Sequence, residues 1–110
     1  MSFTRGAVWF LEIPGVGDQP ALIVSWQPIQ DALNAAIVAR ITSAEKKRSL
    51  PTAVALEAGE AGLQRPGYVL CHELFTIDRD RFRRHSGSLV PSRLLEVEDA
   101  LRRALDLGPT

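Results

Sequence analysis

The chain has 110 residues, with 13 lysines and arginines balanced by 13 aspartates and glutamates. This length predicts one domain over residues 1–110 with one hydrophobic core, and the zero net charge excludes binding of a polyanion except through a local basic patch. No segment approaches the roughly 20 consecutive apolar residues that cross a membrane. The single cysteine, Cys71, cannot form an internal disulfide, and no N-terminal segment is typical of a signal peptide, so we expect a cytoplasmic protein.

Three apolar segments in the first half of the chain are predicted to be β-strands, because they are short and bounded by turn-forming or polar residues. The first is Gly6–Ile13, whose continuous hydrophobicity predicts burial on both faces for part of its length. A turn at Pro14–Asp18 leads to the second, Pro20–Trp26, which pairs back on the first. Gln27–Asn34 is predicted to be a loop or a short helical turn before the third strand, Ala35–Thr42.

The end of the third strand carries the first candidate site residues. Thr42 and Ser43 place two hydroxyl groups at a junction between strand and loop, where functional sites are often built. Side chains alternate along a strand, so Arg40 is expected on the same face as Thr42, about 7 Å away. A solvated surface role for Arg40 fits the pattern equally well. Three basic residues follow in the next loop: Lys46, Lys47 and Arg48.

The second half of the chain predicts three more strands, at Thr52–Leu56, Gly67–Thr76 and Ser86–Val90. Glu57–Arg65 contains two glycines and is predicted to be a loop. The arginine-rich segment Arg79–Arg84 is predicted to be either a short helical turn or a strand edge. Its charge by itself is typical of a solvated turn.

The chain closes with its clearest element, an amphipathic helix. Pro91 fits the first helical position, and Gly108 followed by a proline is a stop signal. The apolar positions recur every three or four residues, at Leu94, Val97, Leu101, Ala104 and Leu105. Two ion pairs at i, i+4 spacing are predicted on the outer side: Glu98 with Arg102, and Asp99 with Arg103. Short strands and one C-terminal helix predict a mainly β fold with a helix (α+β), namely a small, strongly bent β-barrel on which the helix packs.

Several short motifs follow one another in a fixed order over most of the chain. They are Arg5-Gly6-Ala7-Val8-Trp9, Gln19-Pro20-Ala21 with an apolar run to Ser25, Val38-Ala39-Arg40-Ile41-Thr42-Ser43, Leu50-Pro51-Thr52-Ala53-Val54 and Thr76-Ile77-Asp78. From roughly Thr4 to Gly108, their order and spacing resemble the MazF/PemK-like toxins of bacterial type II toxin–antitoxin pairs. The resemblance implies an SH3-like barrel, a homodimer and a cognate antitoxin as partner. It also implies a metal-independent endoribonuclease, without a cofactor, that acts on single-stranded RNA.

The resemblance further implies which residues act. Members of this family use an arginine before the Pro-Ala strand together with a threonine at the end of the third strand. Thr42 carries over, whereas the arginine position is Gln19, whose amide donates hydrogen bonds but has no charge. The catalytic residues expected here are Thr42, Gln19 and Arg40. The RNA-binding residues expected beside them are Ser43, Lys46, Lys47, Arg48, Glu73 and Arg5.

The implied reaction makes definite chemical demands. The ribose 2′-OH attacks the adjacent phosphate, so one group must take its proton, another must protonate the leaving 5′-oxygen, and a cation or donors must stabilise the added negative charge. Arg40 and Arg5 are the cations expected to replace the charge missing at Gln19. His72 stands where the family usually has an acidic residue, and histidine is the side chain most often used for proton transfer, although a surface or interface role is the commoner one for such a histidine.

Three functions fit the sequence. The first is a toxin ribonuclease with a rearranged site, which the hydroxyls at Thr42 and Ser43 and the basic loop favour. The others are a non-enzymatic toxin that binds a protein target, as the gyrase-poisoning relatives do, and a barrel that binds RNA or antitoxin without catalysis. The neutral Gln19 favours both, while the absence of a tryptophan near the C-terminus weighs against the gyrase type. In each case we expect an acidic antitoxin segment to lie over Lys46–Arg48 and Arg79–Arg84.

Overall fold

The computed structural model describes residues 3–43 and 50–108. The strands are β1 (Ala7–Ile13), β2 (Gly17–Ile23), β3 (Ala35–Ser43), β4 (Ala53–Leu56), β5 (Gly67–Asp78) and β6 (Phe82–Ser88). The helices are α1 (Gln27–Leu33) and α2 (Pro91–Ala104), with two short 3₁₀ turns at Glu60–Gly62 and Arg79–Arg81. Within the described ranges, neither helix has the length and apolar character needed to span a bilayer.

The six strands form one antiparallel sheet in the order β4-β5-β3-β2-β1-β6. A mainly antiparallel sheet followed by a C-terminal helix is therefore confirmed. The pairing leaves β4 and β6 at opposite ends of the sheet, with no ladder between them among the residues described. Closure into a barrel, which the sequence led us to expect, is accordingly not confirmed.

Both faces of β1 are buried, because each face packs against a different hydrophobic cluster. Val8 belongs to the cluster that also contains Val97 and Ala100 of α2. Trp9 and Leu11 point the other way, into the second cluster. The predicted burial of the first strand on both faces is confirmed.

Irregular pairing bends two strands. On β3, Ala39 pairs with Leu74 of β5, but the next residue, Arg40, pairs with Leu70. The three residues between them (71–73) therefore form a bulge on β5. On β6, Phe82 lies opposite Leu11 and Arg84 lies opposite Phe10, so one extra residue is accommodated between them. Such bulges change which face a side chain points to.

The bounds predicted for two strands, the second and the last, are wrong. The second strand begins at Gly17 rather than Pro20 and ends at Ile23 rather than Trp26, because its first residues extend the ladder with the end of β1. Trp26 instead precedes α1 and is 71% exposed. The last strand begins at Phe82 rather than Ser86, because the charged residues just before Ser86 also pair with β1.

Helix α2 begins at Pro91, as predicted, and ends at Ala104, before the expected stop signal. Its predicted ion pairs are wrong in their partners. Glu98 reaches Arg5 at 2.9 Å, which ties the helix to the entry of β1. Asp99 pairs with Arg102 at 2.8 Å, one turn away at i, i+3 spacing, while Arg103 donates to the backbone carbonyl of Pro51 at 2.8 Å.

Candidate active-site cleft

A cleft of about 470 Å³ opens where β2 begins and β3 ends. Its lining residues come from β1, β2, β3, the loop before β5, and β6. They are Phe10, Asp18, Gln19, Pro20, Ile41, Thr42, Ser43, Gly62, Leu63, Gln64, Arg65, Pro66, Gly67 and Arg84. Two of the predicted catalytic residues and one predicted RNA-binding residue are therefore brought to the same cavity.

The pairing of β2 with β3 is what brings Gln19 and Thr42 together. The last pair of the ladder joins Ala21 to Arg40; Gln19 lies two residues before Ala21 on β2 and Thr42 two residues after Arg40 on β3, and both line the cleft that opens there. Thr42 is only 6% exposed, so it lies in packed surroundings at the wall of the cleft.

Gly67 fixes the position of the Thr42 backbone. It is the first residue of β5 and pairs with Ser43. A Cβ atom built on it would lie 2.6 Å from the carbonyl oxygen of Thr42, well inside van der Waals contact. Any other residue at this position would displace the strand end that carries the threonine.

The positive charge of the cleft comes from two arginines that the sequence did not single out for this role. Arg65 lies in the loop before β5, and Arg84 lies on β6 opposite Phe10. The guanidinium carbon of Arg84 is 4.2 Å from the centre of the Phe10 ring, a cation–π contact. The sequence predicted a short helical turn or a strand edge around Arg84 and an antitoxin contact there, but no sequence signal pairs Arg84 with Phe10.

Arg40 and Arg5 do not line the cleft. Arg40 donates from Nη1 to Oε1 of Glu73 at 2.8 Å, so both of these predicted site residues are engaged with each other at the β5 bulge. Arg5 donates from Nε to the carbonyl of Val24 at 3.1 Å and pairs with Glu98. The predicted basic loop of Lys46, Lys47 and Arg48 lies outside the described residues.

His72 and Cys71 lie beside Glu73 in the bulge and also outside the cleft. The Nδ1 atom of His72 is 2.7 Å from the hydroxyl of Thr52, and its Nε2 is 3.9 Å from Oε2 of Glu73. Cys71 is fully buried, which raises the pKa of its thiol to about 11 and leaves it an inert core residue. Over residues 3–43 and 50–108, no three His, Cys, Asp or Glu side chains converge as a metal site.

The arrangement suits an anionic ligand. Two hydroxyl groups, two carboxamides and two guanidinium groups supply hydrogen-bond donors to one cavity, against the single carboxylate of Asp18. Phosphate oxygens are strong acceptors and pair well with arginine.

Comparison with known proteins agrees with this chemistry. The model of the PemK-like, MazF-like toxins of type II toxin–antitoxin systems matches residues 4–105. The chain belongs to this family. A probable endoribonuclease MazF2 of Mycobacterium tuberculosis (strain H37Rv) is 34% identical over 98 residues, which cover 89% of this chain and 93% of that protein. Endoribonuclease EndoA of Bacillus subtilis (strain 168) is 31% identical over 97% of both chains.

The fold comparison gives the same family. A mycobacterial endoribonuclease solved in complex with its cognate antitoxin superposes with a TM-score of 0.86 at 27% sequence identity. The match covers 99% of this chain and 100% of that one. The bent antiparallel sheet and its C-terminal helix are thus those of a MazF-like toxin.

Proposed function

We propose that this protein is the toxin of a type II toxin–antitoxin system and an endoribonuclease that cleaves single-stranded RNA in the cleft beside Thr42. The observation that carries the proposal is the meeting of Gln19, Thr42 and Ser43 at one donor-rich cavity. Membership of a family whose relatives are named endoribonucleases supports the same reaction class.

The proposed reaction is an internal transesterification. The ribose 2′-oxygen forms a bond to phosphorus while the bond from phosphorus to the 5′-oxygen of the next nucleotide breaks. The 2′-OH loses its proton and the 5′-oxygen gains one, leaving a 2′,3′-cyclic phosphate and a free 5′-hydroxyl. No metal ion is required, because donors from Thr42 and Gln19 stabilise the charge that builds up on the phosphate oxygens.

Replacing Thr42 tests where the reaction occurs. Thr42→Ala removes the hydroxyl donor without adding bulk, so we expect single-turnover cleavage of a long single-stranded RNA to slow by roughly 10²-fold. Thr76→Ala is the matched control, since Thr76 is an exposed threonine on β5 outside the cleft. Equal rates for the two variants, with thermal unfolding showing both folded, would remove Thr42 from the reaction.

We also propose that the protein forms a homodimer in the cytoplasm and that a cognate antitoxin inhibits it. One related structure contains the cognate antitoxin of that mycobacterial enzyme. An acidic antitoxin segment would meet positive charge at Arg65 and Arg84. Within the segment 79–84, which was predicted to contact the antitoxin, Arg81 and Arg83 each pair with Glu12 at 3.5 Å.

A second candidate function is an RNA- or antitoxin-binding protein that has lost catalysis. The neutral amide of Gln19 and the engagement of Arg40 with Glu73 favour it. The two functions differ in one result: a catalytically silent protein binds single-stranded RNA but leaves every phosphodiester bond intact.

A further inference from the structure

Arg84 differs from its neighbours in what it contacts. Most arginines of the described chain pair with a carboxylate, as Arg83 does with Glu12 at 3.5 Å. Across residues 3–43 and 50–108, the side chain of Arg84 forms neither a hydrogen bond nor an ion pair with the protein. Its guanidinium group therefore keeps its hydrogen-bonding capacity for a ligand.

The ring of Phe10 holds that guanidinium in place. The 4.2 Å contact to the ring centre is electrostatically attractive and uses none of the five N–H donors on a protein acceptor. Phe10 is itself half-buried and packed against the hydrophobic cluster that includes Val8 and Val97. A fixed ring reduces the rotamer freedom that an arginine would lose on binding a ligand.

The strand register aims Arg84 at the site. Phe10 pairs with Pro20 on one side and with Arg84 on the other. These three residues form a row across the sheet, and an arginine lying over the middle ring extends from β6 towards β2, where Gln19 adjoins Pro20. The extra residue at the neighbouring bulge leaves Arg83 pointing to Glu12 instead.

We propose that Arg84, supported by Phe10, binds an RNA phosphate in the cleft and supplies the cation that Gln19 lacks; this inference rests on the proposed ribonuclease function. Arginine matches phosphate geometry with paired N–H donors. Arg65 also borders the cleft, but it lies on a loop, and no aromatic contact is found for it in the described part of the chain. Arg84 takes the role expected for Arg40 or Arg5.

The test is binding of a random-sequence 2′-O-methyl RNA, which has no attacking hydroxyl and stays intact. Affinity is measured by fluorescence anisotropy over a range of salt concentrations. Arg84→Gln should weaken binding roughly tenfold and reduce the slope of log affinity against log salt by about 0.7, the value for one single-strand phosphate contact. Arg83→Gln removes the same charge next door and should leave the slope unchanged.

Two further variants separate the charge from its support. Arg84→Lys should keep the salt slope and lose part of the affinity, because lysine lacks the planar fork. Phe10→Leu should weaken binding without changing the slope, since the charge remains but its position is no longer fixed. Circular dichroism and thermal unfolding establish that each variant is folded before binding is compared.

The outcomes distinguish this inference from the proposed function. If wild type cleaves unmodified RNA but Arg84→Gln and Arg83→Gln lower affinity and slope equally, the role of Arg84 is overturned while the ribonuclease stands. If wild type does not cleave but its binding depends on Arg84 as described, the proposed ribonuclease function is rejected and the phosphate-binding role of Arg84 is supported. If wild type binds no single-stranded RNA, both are overturned.

Discussion

Gln19 is the residue whose replacement is expected to raise the cleavage rate most. It lines the same cleft as Thr42, so a longer, charged side chain at this position enters the site proposed to bind the phosphate. Gln19→Arg should raise the single-turnover cleavage rate about tenfold or more, because a guanidinium stabilises the developing charge better than an amide does. Gln64→Arg, which adds the same charge elsewhere in the lining, is the control. A rate unchanged by Gln19→Arg, or raised equally by both, would argue against this geometry.

Single residues also show what a sequence can and cannot reveal. Thr42 and Gln19 are identifiable because short motifs mark the strand ends that carry them. Arg84 is not, because simple alternation places it on the same face as Phe82, two residues before it. The bulge between them turns Phe82 to the cluster of Trp9 and turns Arg84 to Phe10. Only the pairing with β1 determines that bulge.

At the scale of elements, helix α2 is fastened to the 3₁₀ turn before β5 by one arginine. Arg93 donates from Nε and Nη2 to the two carboxylate oxygens of Glu60, at 2.9 and 2.8 Å. Glu60 also accepts the backbone N–H of Glu57 at 2.7 Å. These hydrogen bonds, that of Arg93 foremost, hold the pKa of Glu60 below its usual value.

This lowered pKa predicts a pH dependence of stability. A carboxyl group whose pKa is lower in the folded state stabilises the fold above its unfolded pKa, near 4.5, and loses that contribution as pH falls below it. Glu60→Gln should therefore lower the free energy of unfolding by about 1 kcal/mol at pH 7 and by less at pH 4. Urea denaturation at both pH values measures this. Glu96→Gln, which removes a more exposed partner of Arg93, should cost less; equal losses would contradict the account.

Helices and strands whose position is set by burial are predicted well from the sequence. A strand whose position is set by its pairing with another strand is predicted poorly. The continuous apolar pattern of β1 and the helical spacing of α2 identify both elements directly. β6 carries Arg83, Arg84 and His85 near its start, and such a sequence resembles a solvated turn. It forms a strand because the edge of a sheet tolerates charge on its outer residues and because β1 offers it a ladder.

At the scale of the whole molecule, the apolar surface supports the proposed homodimer. Trp26 and Leu33 at α1 and Leu95 on α2 are all more than half exposed. Burying such side chains against a second copy would stabilise the fold by mass action. Light scattering at tens of micromolar protein should give twice the 12.1 kDa mass of one chain. A mass equal to one chain would contradict the dimer.

The central claim, that this cleft cuts RNA without a metal ion, is tested most directly by the chemistry of the products. Purified protein is incubated with a long single-stranded RNA in excess EDTA, and the ends of the fragments are identified by enzymatic end-labelling and mass spectrometry. Metal-independent transesterification predicts fragments with a 2′,3′-cyclic phosphate on one side and a 5′-hydroxyl on the other, produced equally well with and without EDTA. Intact RNA from wild type and Gln19→Arg alike, or cleavage that EDTA abolishes, would contradict it.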